Sequence, residues 1–254
     1  MHFVPSLRAV ILPGLVASSF LLMSAIGRHD GAVHSKPSKP GAVRTSNSSI
    51  VSNRTLHEEA ICMYESGDFK KYGLSQKAFE YAWKGYQYLL KKGRVQRKDI
   101  LSICDFSQSS RNKRFYIIDI NDPKVLINTY VAHGRKSGAE YARSFSNSPE
   151  SHKSSLGFYV TRSAYYGDHG ISLKLDGVEK GINDRAFARH IVIHGSDYLG
   201  DGFMESNPFN GRSFGCPAVP ANEIEEVVTT IKDGSCLFIY HPTKLYLKKS
   251  KILS

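Results

Sequence analysis

The apolar residues of this chain repeat with a helical period up to about residue 96 and form short strand-like runs after it. Six of them share one helical face: Phe79, Ala82, Trp83, Tyr86, Leu89 and Leu90. Ser75 suits the N-cap of that helix and Gly93 suits its end. Residues 55–58 (Thr-Leu-His-Glu) fit a capping box, which predicts an earlier helix that ends at Gly67. We predict that the aromatic face packs in the core rather than forming a sugar-binding platform.

After residue 97 the apolar segments are short and rich in Ile, Val, Phe and Tyr, as is typical of strands. Six such runs are present: 115–120, 125–132, 156–162, 171–175, 189–194 and 236–240. Residues 121–123 (Asn-Asp-Pro) separate the first two runs as a hairpin turn would, and a helix is predicted over 221–231. The expected fold class is mainly β (α+β), with a helical segment over 55–96 packed on a mostly antiparallel domain over 97–248.

The first 54 residues differ in composition from the rest of the chain. Arg8 precedes a largely apolar stretch over 9–27 that contains no acidic residue, and the small residues at 25–27 fit a cleavage site. Residues 1–27 are therefore predicted to be a signal peptide or an uncleaved N-terminal membrane anchor. Residues 28–54, rich in Ser with two Pro, are predicted to be a disordered linker. Either interpretation implies an exported protein, periplasmic or associated with the cell wall.

Basic side chains outnumber acidic ones. The 254 residues include 34 Lys and Arg against 23 Asp and Glu, which gives a formal net charge of +11. Such a balance favours polyanionic surroundings such as nucleic acid, anionic lipid or an acidic cell-wall polymer. The basic residues are scattered and no nucleic-acid-binding motif accompanies them, so a nucleic-acid partner is not expected.

The ends of two predicted elements carry the residues that thiol-based acyl transfer requires. His194 ends an apolar run and is followed by Gly195, and Cys216 lies in the turn-like sequence Gly-Cys-Pro at 215–217. A nucleophilic cysteine needs a turn that an acyl group can reach and a nearby imidazole that takes the thiol proton. We therefore predict that Cys216 is the nucleophile and that His194 is its base.

The residues next to Cys216 have predicted supporting roles. Gly215 leaves the backbone open, and the amides of Phe214, Gly215 and Cys216 are candidates for an oxyanion hole. Arg212 adds positive potential beside the thiol. Ser213 either shapes the turn through backbone hydrogen bonds, which we favour, or faces the substrate.

The same residue types also suggest other sites. A zinc site would draw on five residues: His133, His169, His190, His194 and Asp197. Their spacing fits no zinc-binding pattern, so neither a metal nor another cofactor is expected. His133 is expected to be structural rather than a second catalytic histidine. A Cys62–Cys104 disulfide is left open, and Cys236 is expected to be a small buried hydrophobic residue.

The residues around the predicted site resemble those of the murein L,D-transpeptidases. These enzymes carry a strand-end His-Gly, then Ser or Thr, one residue, and Gly-Cys, which 194–195 and 213–216 match. The resemblance is closer to a divergent branch, the murein L,D-transpeptidase catalytic domain proteins, and covers about residues 55–240. The recurring sequence motifs of that branch resemble five segments of this chain: 105–107 (Asp-Phe-Ser), 131–135 (Val-Ala-His-Gly-Arg), 145–147 (Phe-Ser-Asn), 154–159 (Ser-Ser-Leu-Gly-Phe-Tyr) and 211–218 (Gly-Arg-Ser-Phe-Gly-Cys-Pro-Ala).

By this resemblance, the fold is an L,D-transpeptidase-like β-sandwich catalytic domain with the thiol beneath a lid or in a cleft. The resemblance implies that Cys216 is the nucleophile and that His194 is the base. It also implies that Gly195 and Ser213 are supporting residues, with Gly195 near the substrate. Gly157 would lie in a strand on the substrate side.

This chain departs from the better-known branch of the family at the thiol turn. Phe214 stands where a second histidine usually precedes Gly-Cys, and Pro217 follows the cysteine. The positive group that holds the donor's carboxylate is therefore expected to come from Arg212, Arg189 or Arg185.

The function implied by the resemblance is that of a peptidoglycan acyltransferase acting on stem peptides. Cys216 would form a thioester, release a D-amino acid and pass the acyl group to an amine of a neighbouring stem, giving a 3→3 cross-link. Two alternatives are an L,D-carboxypeptidase, which uses water as the acceptor, and a cell-wall-binding module without catalysis. The acceptor and the oligomeric state are left open by the sequence.

Overall fold

A mixed sheet organises the protein, which we describe from a computed structural model over residues 55–168 and 170–254. Within these residues eight strands form the sheet: β1 (Ile100–Asp105), β2 (Phe115–Asp119), β3 (Lys124–Thr129), β4 (Gly157–Gly167), β5 (Gly170–Gly177), β6 (Val192–Ser196), β7 (Ala218–Pro220) and β8 (Cys236–Tyr240). Their order is β3-β2-β1-β8-β4-β5-β6-β7, with β1–β8 and β6–β7 parallel and the other neighbours antiparallel. The expected mainly β (α+β) class is confirmed. The predicted leader or anchor and the predicted linker, residues 1–54, lie outside the described residues.

The chain that leaves β3 joins the two edges of the sheet. Ala132 forms an antiparallel bridge with Ala218 of β7, and its N–H donates to the Ala218 carbonyl at 2.8 Å. Gly134 then forms a parallel bridge with Ser213, shortly before β7 begins. The sheet therefore closes on itself around the core, and the segment just before β7 is held from the opposite edge.

Helices flank the sheet, and five α-helices lie in the described part of the chain: α1 (Leu56–Ser66), α2 (Gln76–Lys91), α3 (Asp201–Glu205), α4 (Ile224–Ile231) and α5 (Lys244–Lys249). The predicted capping box of α1 is confirmed, because Glu58 N donates to Thr55 Oγ1 at 3.3 Å and Thr55 N donates to Glu58 Oε2 at 2.8 Å. Ser75 caps α2 by accepting from Ala78 N at 3.1 Å. No helix among the described residues is long and apolar enough to cross a membrane.

The α2 helix and the sheet share a hydrophobic core. The aromatic face of α2 is buried as predicted, with Phe79 and Tyr86 at its centre. Gly85 of α2 lies directly against Phe158 of β4, so that a Cβ at Gly85 would meet the ring at 1.9 Å. Phe158 in turn stacks on Phe238 of β8 with 4.1 Å between ring centroids. Helix α2 of the N-terminal segment thus packs on strands β4 and β8 through these aromatic residues.

A buried carboxylate ties β4 to the C-terminal residues. Glu179 Oε1 accepts from Phe158 N at 2.9 Å and from the Tyr246 hydroxyl at 3.0 Å, and Oε2 accepts from the Ser250 hydroxyl. Burial raises the pKa of Glu179, because removal from water disfavours the charged form. The packed domain therefore extends past the boundary expected at residue 248.

Some local expectations need correction. The sequence pattern does not predict β1 or β7, and β6 begins at Val192, three residues later than expected. His190 has a left-handed backbone, with φ of 53°, which a strand does not accommodate. Both members of the open cysteine pair are described, and no disulfide joins Cys62 of α1 to Cys104, a buried thiol in β1. Cys236 is buried in β8, as expected.

We predict that Gly85→Ala lowers the free energy of unfolding by about 1–3 kcal/mol, because the new methyl group overpacks the ring of Phe158. Gly202→Ala in α3 is the matched control, since nothing lies within 4 Å of its missing Cβ. That control should be neutral or stabilising by up to about 1 kcal/mol. Urea unfolding of both variants measures the difference, and equal stability of the two would contradict the shared core.

Candidate active site

The predicted nucleophile lies on the turn that leads into β7, beside the start of β6. The parallel register pairs His194 with Ala218, so Cys216 stands opposite Val192. Val192 N lies 3.5 Å from Cys216 Sγ, and Sγ lies 3.6 Å from the carbonyl oxygen of His190. Cys216 is half-buried. The turn therefore presents the sulfur at the β6–β7 edge of the sheet.

The strand register brings the predicted base close to the thiol. Two residues along a strand span about 6.6 Å and neighbouring strands lie about 4.8 Å apart, so the Cα atoms of His194 and Cys216 are separated by roughly 8 Å. Cys216 precedes β7, and its sulfur contacts the backbone of Val192 and His190. The register therefore sets the spacing of the two backbones, and a separation of this size is one that an imidazole ring and a thiol can bridge.

The backbone fixes the orientation of the His194 ring. Its Nδ1 atom lies 2.9 Å from the carbonyl oxygen of Gly195. A carbonyl oxygen only accepts hydrogen bonds, so Nδ1 carries a proton and, in the neutral ring, Nε2 is the nitrogen with the lone pair. The ring is therefore held in the tautomer that a general base at Nε2 requires.

Ser213 shapes the thiol turn. Its hydroxyl donates to the carbonyl oxygen of Cys216 at 2.6 Å and accepts from Gly215 N at 3.0 Å. Its backbone is held as well, because Ser213 N donates to His133 O at 3.1 Å and Arg135 N donates to Ser213 O at 2.7 Å. These contacts favour the turn-shaping role over direct contact with a substrate.

Gly215 is required by its backbone conformation and by a close approach. Its φ is +128°, and a Cβ there would lie 2.9 Å from the carbonyl oxygen of Lys153. Its own carbonyl accepts from the Ser154 hydroxyl at 3.3 Å. The oxyanion-hole expectation needs correction at this residue, because the Gly215 amide already donates to Ser213 Oγ. Ser154 belongs to the sequence motif at 154–159, but only the structure shows that its hydroxyl contacts the thiol turn.

Two opposing effects act on the thiol. Burial raises the pKa of Cys216, while the Val192 N–H and the positive charge of Arg189 act in the opposite direction and favour the thiolate. The net direction is upward. The local field alone therefore favours the thiol over the thiolate.

Arg189 holds the segment that passes beside the turn. Its Nη1 donates to Ser146 O at 2.9 Å and to Ser155 Oγ at 2.5 Å, and its Nη2 donates to Ser151 Oγ at 3.2 Å and to Lys153 O at 2.8 Å. All four acceptors are neutral oxygens, and no ion pair with a carboxylate is formed within residues 55–168 and 170–254. The charge next to the thiol is therefore not neutralised by an acid.

Arg212 and Phe214 lie on the exposed side of the turn. Arg212 donates to Gly138 O at 3.1 Å and lines a shallow cavity of about 340 Å³ together with Arg135. The Phe214 side chain is 62% exposed. The Arg135 guanidinium lies 4.9 Å from the centroid of the Phe214 ring, and the centroid of the His152 ring lies 4.7 Å from it. An aromatic ring next to two basic side chains thus stands where the family usually has a histidine.

Gly195 and Gly157, the two glycines predicted to lie near the substrate, are closely packed against neighbouring side chains. Gly195 is buried, and a Cβ there would lie 2.9 Å from Ile224 of α4. Gly157 has a φ of +106°, and a Cβ there would meet Glu179 Oε1 at 2.3 Å. At each glycine, the absence of a side chain leaves space for a neighbouring residue to pack in the core. The local sequence does not reveal these contacts. Their role near the substrate stays a prediction.

His133 has a structural role, as the sequence favoured. Arg114 Nη2 donates to His133 Nδ1 at 2.8 Å, which leaves the ring proton on Nε2, near Gly138 O. Burial, followed by the charge of Arg114, lowers the pKa of His133 to about 3. The ring is therefore neutral and cannot act as an acid near neutral pH.

The other candidate groups do not assemble into a metal site. Among residues 55–168 and 170–254, no three His, Cys, Asp or Glu side chains are close enough together to hold a metal ion. His169, one of the candidates, lies outside the described residues. The thiol turn and the end of β6 are thus the parts of the expected site that the fold brings together.

Solved structures similar to this one include several L,D-transpeptidases. The one from Mycobacterium smegmatis shows 10% identity and a TM-score of 0.34, over 56% of this chain and 59% of its own length. One from Mycobacterium tuberculosis shows 11% identity and a TM-score of 0.34, over 56% of this chain and 58% of its own length. One from Stackebrandtia nassauensis shows 11% identity and a TM-score of 0.34 over 74% of this chain and 80% of its own. The chain thus spans less than two thirds of the two mycobacterial proteins. A comparison with curated proteins gives no match.

A family described as the L,D-transpeptidase catalytic domain matches residues 70–240. The match covers more than half of the chain and includes His194, the thiol turn and every strand of the sheet. The resemblance drawn from the sequence motifs is therefore confirmed, and this chain belongs to the L,D-transpeptidase catalytic domain family.

Proposed function

We propose that this protein is an exported cysteine acyltransferase of peptidoglycan stem peptides, with Cys216 as nucleophile and His194 as base. One observation carries the proposal: the β6–β7 ladder holds His194 two positions along the strands from the glycine-flanked turn that bears the Cys216 thiol. Family membership supports the reaction class and the peptidoglycan substrate. The apolar stretch at 9–27 and the positive net charge support export into an anionic cell wall.

The first half of the proposed reaction forms a thioester. His194 Nε2 takes the proton from Cys216 Sγ, and the sulfur attacks the amide carbonyl of the diamino acid at its L-centre. The C–N bond to the terminal D-amino acid then breaks, and the leaving nitrogen takes the proton from the imidazolium. Because the Gly215 amide is already engaged, the oxyanion is assigned to the amides of Phe214 and Cys216.

The second half transfers the acyl group to an amine of a neighbouring stem. The amine attacks the thioester carbonyl and gives its proton to His194, and the C–S bond breaks as Sγ regains a proton. The product is a 3→3 cross-link. If water attacks instead, the same residues act as an L,D-carboxypeptidase, so only the ratio of dimer to trimmed monomer distinguishes the two.

In this proposal, positively charged side chains near the thiol bind the carboxylate of the donor stem peptide. Arg212 is exposed, and Arg135 lies across the ring of Phe214 in the same surface region. Arg189 is assigned a different task, since both of its terminal nitrogens are engaged by Ser and Lys oxygens and its charge favours the thiolate. We therefore propose that Arg212 contacts the substrate and that Arg189 tunes the nucleophile.

A cell-wall-binding module without catalysis is the second candidate. The observation that favours it is the burial of the Cys216 thiol, which raises its pKa and works against the nucleophilic form. The two candidates differ in one chemical property, the ability of folded protein to form a covalent adduct at Cys216.

We predict that Cys216→Ala lowers the formation of cross-linked dimer from disaccharide-tetrapeptide by at least about a thousandfold, because the variant has no nucleophile. Mass spectrometry of the products gives the yield of dimer and of trimmed monomer. Cys62→Ala is the matched control, since Cys62 is an exposed thiol-bearing residue on α1, far along the chain from the turn. Its product yield should equal that of the unchanged protein.

Intact-mass analysis after treatment with a carbapenem provides the second readout. The acyltransferase proposal predicts one adduct, lost in Cys216→Ala and retained in Cys62→Ala. Dimer formation by Cys216→Ala would rule out this mechanism. A folded, unchanged protein that binds sacculi but forms no adduct would favour the binding module.

We predict that Arg189→Gln slows carbapenem acylation several-fold at neutral pH and moves its pH profile to higher pH. The Arg189 charge lowers the pKa of the thiol, so its removal raises that pKa and the thiolate appears at higher pH. Arg189→Lys should keep most of the effect because it keeps the charge. Arg185→Gln, which removes an exposed cation of the same segment, is the control. An unchanged profile in Arg189→Gln would remove Arg189 from this role.

A further inference from the structure

A second concave surface lies between the end of α2, the β5–β6 connection and the C-terminal residues. It encloses a cavity of about 570 Å³ and shares no residue with the thiol turn. Five cationic side chains line it: Lys92, Arg94, Lys180, Lys249 and Lys251. They come from three separate parts of the chain, so the fold, rather than one basic run, brings them together. We call this feature the basic cavity.

The positive charge of the basic cavity is largely uncompensated. In the part of the chain that the structure describes, Lys92, Lys180 and Lys251 form no ion pair. Arg94 is 3.5 Å from Asp176, but that carboxylate also pairs with Arg162 at 3.1 Å. Exposed pairs of this kind contribute little energy. An anion that enters the cavity would therefore meet cations that are still available.

The one acid among the described residues of the lining offsets at most one of the five positive charges. Glu179 lines the cavity, but both of its carboxylate oxygens accept hydrogen bonds from buried donors. Burial raises the pKa of Glu179, and the lining keeps an excess of cations in either protonation state of that acid. Lys249 donates to Gly181 O at 2.8 Å, which anchors one cation at the rim without neutralising it.

The floor of the basic cavity is apolar. Leu89 and Ile252 are buried there, and Val178 and Ile182 are partly buried. The Tyr88 side chain is 40% exposed at the edge, with Lys92 Nζ 5.7 Å from its ring. A small inorganic ion would leave this apolar surface unused, whereas an ester with a carbon-containing group would cover it.

We infer that the basic cavity binds the phosphate group of an organic phosphate ester. Four of its five cations are lysines, which bind phosphate as point charges, and a phosphate monoester brings a charge of about −1.5 to −2 at neutral pH to this cluster. The ester's organic part would lie on the apolar floor. Two sources share this chemistry, a soluble phosphate ester and the headgroup of an anionic phospholipid.

The test measures binding to the full-length protein by titration with glycerol 3-phosphate, and separately by co-sedimentation with phosphatidylglycerol vesicles against phosphatidylcholine vesicles. The double variant Lys180→Ala/Lys251→Ala removes two exposed cations of the cavity. Lys70→Ala/Lys71→Ala removes the same charge from the exposed turn before α2 and serves as the control. We expect the cavity variant to weaken binding by about tenfold or more and the control by less than about twofold, since two lysines near an anionic group contribute on this scale.

The possible outcomes distinguish a soluble ester from a lipid headgroup, and they distinguish both from an absence of binding at the basic cavity. Saturable binding of glycerol phosphate alone supports a soluble ester, and a vesicle response lost in the cavity variant supports a lipid headgroup. Equal losses in both double variants, tighter binding of citrate than of glycerol phosphate, or no binding in either arm would overturn the inference. Cys216→Ala should bind normally, so this result stands apart from the acyltransferase proposal, and loss of binding in that variant would move the ligand to the thiol site.

Discussion

The connection that leaves β3 constrains the rest of the structure, because it joins the two edges of the sheet and holds the thiol turn. Backbone hydrogen bonds from residues 131–135 fix β7 and Ser213. The connection is fixed in turn by Arg114, which is fully buried and donates to Val131 O and His133 Nδ1. Burial lowers the pKa of Arg114 to about 10, so the guanidinium remains charged near neutral pH. A buried charge of this kind is strongly destabilising without its partners, which makes the contact specific.

This constraint shapes the chemistry of the site. The turn around Cys216 is held by the Ser213 hydroxyl on the inside and by Ser154 and the Arg189-bound segment on the outside. These contacts hold the turn that carries the sulfur. The same packing partly buries the sulfur and raises its pKa, so orientation and reactivity oppose each other. The His194 ring, held by the carbonyl of Gly195, is the group in our proposal that resolves this opposition.

The sequence predicts the fold class, both N-terminal helices and most strands, because these depend on local periodicity and on caps such as the Thr55–Glu58 box. It does not predict β1, whose six residues are all buried and therefore show no polar alternation. It also does not predict β7, which has only three residues and includes Pro220. The start of β6 differs because His190 has a left-handed backbone, which a strand does not accommodate.

By itself the sequence determined the family, the glycine-flanked cysteine turn and the histidine at a strand end, because each can be recognised from short segments of contiguous residues. Only the tertiary structure decided what Gly157, Gly195 and Ser213 do, because their neighbours are Glu179, Ile224 and the carbonyl of Cys216 in the folded chain. The same holds for the charge next to the thiol and for the basic cavity. Residues far apart in sequence meet there according to strand register and helix packing, and no local pattern encodes those distances.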